Sequence, residues 1–203
     1  MEFTEVVRKR RMVRHFTADP VEPATMQRVL QAALRAPSAG FTQGQSFVVV
    51  TRPDLKERLA QLAGEEHYTT SGFDPFISEA PVLVIPCVSE AAYHHRYQEP
   101  DKLSTDGAEI HWPVPFWYMD IGCSVMLLLL AVVNEGLAAG FVGIPQPEHT
   151  DACKALLNLP EEVMPVGIIP IGHPAPDRRS PSLKRGHKPE QEVIHYEQWG
   201  SEK

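Results

Sequence analysis

The sequence predicts an α+β layered domain, and three observations predict it. Apolar residues recur at helical spacing in several stretches that open or close on proline. Short runs rich in β-branched residues lie between those stretches. The runs, about four, do not alternate with the helices as regular βαβ units, so the domain reads as α+β rather than as a parallel α/β sheet. Of 203 residues 43% are hydrophobic and 22% charged, which is enough apolar material for one sizeable core, and a single domain over residues 1–203 follows.

Residues 2–10 read as a short helix with Phe3, Val6 and Val7 on one side. A clearer helix opens at Pro23, carries Met26, Val29, Leu30, Ala33 and Leu34 on one face, and stops at Pro37. The small-residue stretch 38–44 is a loop leading into a strand over 47–50. Pro53 opens a helix with Leu55, Leu59 and Leu62. Residues 82–88 read as a strand whose Pro86 places its end near a sheet edge. From 93 to 117 no period holds, although Tyr93, His94, His95, Tyr97, His111, Trp112, Phe116 and Trp117 crowd there; an irregular segment of that length is usually functional. Residues 119–137 are apolar nearly all round and predict a helix buried on every side, in the core or between subunits. A short strand over 141–144, a helix over 150–157 and a strand over 166–171 complete the domain. The polar tail ends in Val193, Ile194, Tyr196 and Trp199, anchors that a free tail does not need, so it is expected to pack on a surface, either of this chain or of another subunit.

A net charge of −7 argues against nucleic acid or an anionic membrane as partner. Against that background Arg8, Lys9, Arg10, Arg11 and Arg14 form a local basic cluster, suited to a small anionic ligand or, equally, to a solvated helix end. Cys87, Cys123 and Cys153 are too far apart for a zinc site or a disulfide framework, and read as reduced thiols of a cytoplasmic protein. The N-terminus has no apolar signal core, and the longest apolar run, 121–133, is short for a bilayer. His94, His95 and His111 lack a matching carboxylate spacing, so no metal is expected. Ser38 lacks the surroundings of a nucleophile.

Four elements carry possible chemistry. Arg10, Arg11 and Arg14 lie at a helix end, where planar guanidinium forks can converge on a phosphate. The loop at Pro37, Ser38, Ala39, Gly40 and Gln43 is small where a backbone can approach a flat ligand. Val142, Gly143 and Ile144 can present main-chain amides. Lys184 and Arg185 add charge from the tail.

Together and in order, these segments resemble the FMN-dependent nitroreductases over nearly the whole chain. Arg10-Arg11-Met12-Val13-Arg14-His15-Phe16 is similar to the family's opening Arg-Arg-Ser-x-Arg-x-Phe. Residues 36–43 and the strand from Ser46 resemble its Ala-Pro-Ser-x-x-Asn-x-Gln loop and strand. Asn134-Glu135-Gly136-Leu137 with Gly143, and 165–174, resemble the end of its central helix and its late strand. The resemblance implies a three-layer α/β/α homodimer with the long helix at the dimer core and the tail laid on the partner. It implies FMN as cofactor, NAD(P)H as reductant, and a nitroaromatic, quinone or similar small-molecule acceptor. Arg10, Arg11 and Arg185, with Lys184 nearby, would then hold the phosphate; Met12, in place of serine, offers only its amide. Arg14 would face the pyrimidine edge, where reduction leaves negative charge that a fixed cation stabilises. Pro37, Ser38, Ala39, Gly40 and Gln43 would lie along the cofactor from the partner subunit, and the amides of Val142, Gly143 and Ile144 would face flavin N5. The flavin carries the redox chemistry, so no catalytic side chain is assigned. Phe41, in place of asparagine, and Trp112, Phe116 and Trp117 are candidates for the acceptor wall. A flavin-binding storage or sensor protein, and a flavin-dependent dehalogenase or dehydrogenase, stay open as alternatives.

Overall fold

The structure, a computed structural model, describes residues 1–201. The described residues form α1 (Phe3–Lys9), α2 (Pro23–Ala33), β1 (Gln45–Val50), α3 (Pro53–Leu62), α4 (Glu65–Thr70), β2 (Val82–Ser89), α5 (Glu90–Tyr97), α6 (Phe116–Asn134), β3 (Ala138–Ala139), α7 (Pro147–Leu156), β4 (Val163–Pro165) and β5 (Ile169–Gly172). Proline stands in the first turn of α2, α3 and α7, where its missing N–H costs nothing and its fixed φ suits the helix.

Every strand pairing is antiparallel. The sheet runs β1-β2-β5-β3, with β4 beside the other end of β2. Alternate residues of β2 point to opposite faces, as a pleated strand requires. Leu83, Ile85 and Cys87 join Leu59 of α3 and Cys153 of α7 on one side. Val82 and Val84 join Met26 and Val29 of α2 and Leu128, Leu129 and Val132 of α6 on the other. The result is the three-layer α/β/α arrangement expected from the sequence.

Several expectations need correction. β2 is central, not at an edge. Ser89 donates its N–H to Gly44 O, so the alternation turns the Pro86 nitrogen away from β1, toward the other neighbour. There β5 pairing ends at Val84 and β4 pairing begins at Cys87, and the gap tolerates a residue without an N–H. Residues 93–97 are helical: the Ser89 hydroxyl caps α5 by accepting the Ala92 N–H at 3.3 Å. Phe116 and Trp117 likewise open α6 and do not belong to the irregular segment. The strand expected over 141–144 is one bridge, Val142 to Ile168, and the paired strand lies earlier, at Ala138–Ala139. Gly140 separates them, where a Cβ would come 2.9 Å from the Val13 carbonyl oxygen. Of the strand expected over 166–171 only the latter half forms, as β5 from Ile169, while β4 (Val163–Pro165) lies before it.

α6 also differs from expectation. It ends at Asn134 because Gly136 turns into the left-handed region at φ +78°. Its 19 residues, with a mean hydropathy of 2.0 over 18 of them, are long and apolar enough to cross a membrane, longer than the run foreseen from sequence. Here one side of α6 packs on α2 and the sheet. The helix is not buried all round within the chain: Met119 and Met126 are 57% and 47% exposed, with Gly122 and Cys123 exposed between them. The tail leaves Val193, Ile194 and Trp199 uncovered as well.

Candidate functional site

After α1 the chain extends beside β3. Val13 donates to Ala139 O, Met12 bridges to Ala139, and Ala175 donates to His15 O, so the basic strip is held between β3 and the segment that follows β5. The cations of this strip have different fates. Arg11 Nη1 donates to Asp177 Oδ2 at 2.9 Å, and the same oxygen accepts the Arg14 N–H at 3.2 Å; the Asp177 side chain is only 2% exposed. Arg14 sends its guanidinium over the rings of Phe73 and Phe76, at 5.4 and 6.0 Å from their centres. Arg10 is half-buried and has no partner among the described residues. Lys184 and Arg185, on an exposed 3-10 turn, have none either.

Beyond β3, Val142 is buried and exchanges both main-chain hydrogen bonds with Ile168. Gly143 faces open space, and the N–H groups of Gly143 and Ile144 donate to nothing among the described residues. The basic strip lies at the C-terminal end of α6, where Lys9, Arg11 and Val13 line one cleft with Val133, Gly136 and Leu137.

The small-residue loop lies at the other end. Asp120, in the first turns of α6, accepts the Ala39 N–H and the Tyr93 hydroxyl, each at 2.8 Å. Burial first, and then this bond to Asp120, push the Tyr93 phenol far above its ordinary range, so it stays a donor. Arg96 Nε donates to Gly40 O at 3.0 Å, and Ser38 Oγ accepts the Gln43 N–H at 2.9 Å. Gly40 is required twice over. Its φ is +62°, and a Cβ would meet the Tyr97 ring at 2.7 Å. Phe41 and Gln43 also have positive φ, at +56° and +54°. Such positions cost about 1–3 kcal/mol each and persist only where the surroundings enforce them. Phe41 nonetheless leaves 75% of its surface exposed. Pro37 is exposed beside it.

Trp112, Phe116 and Trp117 do come together, in one cluster with Tyr93, His94 and Tyr97. The Tyr97 and Trp112 rings are 4.5 Å apart, and Trp112 is 6.0 Å from Phe116 and 5.9 Å from Trp117. Trp117 is buried in this packing; Trp112 and Phe116 are partly open. Glu109 ties the segment down, accepting Trp112 Nε1–H at 2.6 Å and lying 2.6 Å from His94 Nδ1. Among the described residues no group of His, Cys, Asp or Glu is arranged to hold a metal.

The candidate residues therefore form two groups, anchored at opposite ends of α6. Asp120 and Asn134 are fourteen steps apart, roughly 21 Å at 1.5 Å per residue. Sequence reasoning missed Asp120, Arg96 and Asp177, which hold the loop and the strip, and Phe73. Nothing in their spacing marks them, since each acts on a residue distant in the chain.

The model of the Nitroreductase family matches residues 7–173. A Methanothermobacter thermautotrophicus protein, provisionally named an NADH dehydrogenase/NAD(P)H nitroreductase, is 24% identical over 98% of this chain and 88% of its own. The iodotyrosine deiodinase of Nematostella vectensis is 26% identical over 95% of this chain and 74% of its own. Among solved structures, a provisionally named NADH dehydrogenase/NAD(P)H nitroreductase from Parabacteroides distasonis superposes with a TM-score of 0.73 at 21% identity, covering 98% of this chain and 99% of that one. NfrA2 of B. megaterium superposes with 0.76 at 22% identity, covering 98% and 75%. These two share the fold. The match to the family model spans most of the sequence and includes the basic strip and the small-residue loop, so the chain belongs to the nitroreductase family and is an oxidoreductase.

Proposed function

We propose that the protein is an FMN-dependent oxidoreductase that works as a homodimer, takes electrons from NAD(P)H, and passes them to a nitroaromatic, quinone or similar electron-poor acceptor in a ping-pong cycle. One observation carries this reading: the basic strip and the small-residue loop stand at opposite ends of α6, whose outer face is apolar and uncovered. A second chain laid antiparallel along that face brings the loop of each chain to the strip of the other. It also buries Met119 and Met126, and gives the apolar tail a surface to cover.

The residues present fit FMN. Arg10, Lys184 and Arg185 are cations without partners among the described residues, as a phosphate site needs. Arg11, neutralised by Asp177, is better suited to holding the tail than to holding phosphate. The idle amides of Gly143 and Ile144, beside open space, suit one edge of a flat ring. Pro37, Ser38, Ala39, Gly40 and Gln43 supply a small, braced backbone for the other side. Flavin, when bound, supplies hydride and electron transfer. Arg14 holds positive charge near the ring, and Phe41, Trp112 and Phe116 line the acceptor side. Burial pushes the Cys87 thiol up to about 12 and the Cys153 thiol to about 11, so neither serves as a nucleophile, and both suit a cytoplasmic protein.

Reductive dehalogenation is the second reading, supported by the deiodinase among the relatives. The test is anaerobic. Purified protein should be yellow with FMN, bleach on NADH or NADPH, and recover colour with a quinone or nitroaromatic. Recovery only with a halophenol would favour the second reading, and failure to take up FMN would exclude both.

A further inference from the structure

The connection between α4 and β2 is docked on the basic strip and on the start of the tail. Arg178 Nη1 donates to Ser71 O at 3.1 Å, and His15 Nδ1 lies 3.6 Å from the Asp74 carboxylate. At the centre is Phe73, half-buried, with the Arg14 guanidinium 5.4 Å from its ring centre and that of Arg178 5.7 Å away. Phe76, buried, lies 6.0 Å from the same Arg14 head. Asp177 fixes the other end of Arg14 by accepting its main-chain N–H.

Arg11 and Arg14 are thus held by different chemistry. A carboxylate holds Arg11 and cancels its charge. Arg14 has no carboxylate among the described residues; its head rests on aromatic rings, whose negative faces attract a cation without neutralising it. A long, flexible arginine side chain loses rotamer entropy when fixed, so a cation meant to act at one point needs a support. A ring is the support that leaves the charge available.

Resting on the FMN reading above, we propose that Phe73 is a positioning residue for Arg14: its ring holds the guanidinium in place with its charge uncancelled, to favour the negative charge that the bound flavin gains on reduction. The role predicts a selective effect. Losing the ring should weaken binding of reduced flavin more than binding of oxidised flavin, and so lower the midpoint potential.

The experiment uses the FMN-loaded dimer and compares wild type with Phe73→Leu, Phe73→Tyr, Arg14→Ala and the Phe73→Leu/Arg14→Ala double variant. Midpoint potential, oxidised-FMN affinity and melting temperature are measured for each. Phe73→Leu should bind oxidised FMN within about threefold of wild type, bind reduced flavin roughly tenfold more weakly, and shift the potential negative. Phe73→Tyr should restore the wild-type potential. In the double variant the leucine should add nothing to the shift caused by Arg14→Ala. A Phe73→Leu protein with the wild-type potential, even with a lowered melting temperature, would overturn the assignment. So would a leucine effect that persists without Arg14. These results differ from failure of the underlying reading, in which the wild type takes up no FMN and this inference falls with it.

Discussion

Arg10 and Arg11 are neighbours in sequence with different electrostatic surroundings, and substitution should separate them. Arg10→Ala removes an uncommitted cation and should weaken FMN binding by tenfold or more, from about 1.5–3 kcal/mol for a charge-assisted contact. Arg11→Ala strands the Asp177 carboxylate, almost wholly buried, with only the Arg14 N–H, so it should lower the melting temperature more than the FMN affinity. Fluorescence titration and thermal melting distinguish the two. A pH effect belongs to this scale too. The hydrogen bond to Glu109 holds His94 above its ordinary range; bonds from Trp112 and then His94 hold Glu109 below its own. His94 therefore adds stability that is complete below its ordinary pKa and lost as pH rises through the raised value. Glu109 adds stability that is present above its ordinary pKa and lost as pH falls through the lowered value. The tie on the irregular segment should be tightest between roughly pH 4.5 and 6.5. Hydrogen-exchange protection at residues 104–112, taken relative to the intrinsic base-catalysed rate, should fall above neutral pH, and Glu109→Gln should flatten that dependence.

At the scale of elements α6 decides most, because one side builds the core and the other is left uncovered. Placing a charge on the uncovered side, as in Met126→Asp, should give a folded monomer that does not retain FMN. Size-exclusion chromatography with light scattering, read beside absorbance, checks this; a yellow variant dimer would count against the role given to that face. Elements with strong local punctuation were legible in sequence. Pro23 and Pro53 marked the starts of α2 and α3, and the β-branched runs marked β1 and β2. What was not legible depended on distant partners. α5 looked irregular because two histidines and two tyrosines obscure its period, and its cap is one serine hydroxyl. Pro86 suggested an edge because the gap between β4 and β5 that receives it is a tertiary feature.

Over the whole molecule, the residues of the candidate site could be named from motifs, but their separation could not. Sequence order says nothing of the roughly 21 Å between Asp120 and Asn134 once α6 is straight. Nor does it show that Asp177 and Asp120, outside every motif, hold the two halves. The central claim is that each flavin site combines the strip of one chain with the loop of another. Subunit complementation tests it most directly. Arg10→Ala damages the strip, and Gly40→Val damages the loop at a left-handed position pressed against Tyr97. Neither homodimer should retain FMN. Mixed after mild dissociation, or co-expressed with different affinity tags and purified through both, the hybrid dimer places both lesions in one site and leaves the other intact. The account predicts close to one FMN per hybrid dimer, with NAD(P)H-dependent bleaching restored in that site. A hybrid as colourless as its two parents would show that strip and loop do not share a site across subunits, and would contradict the account.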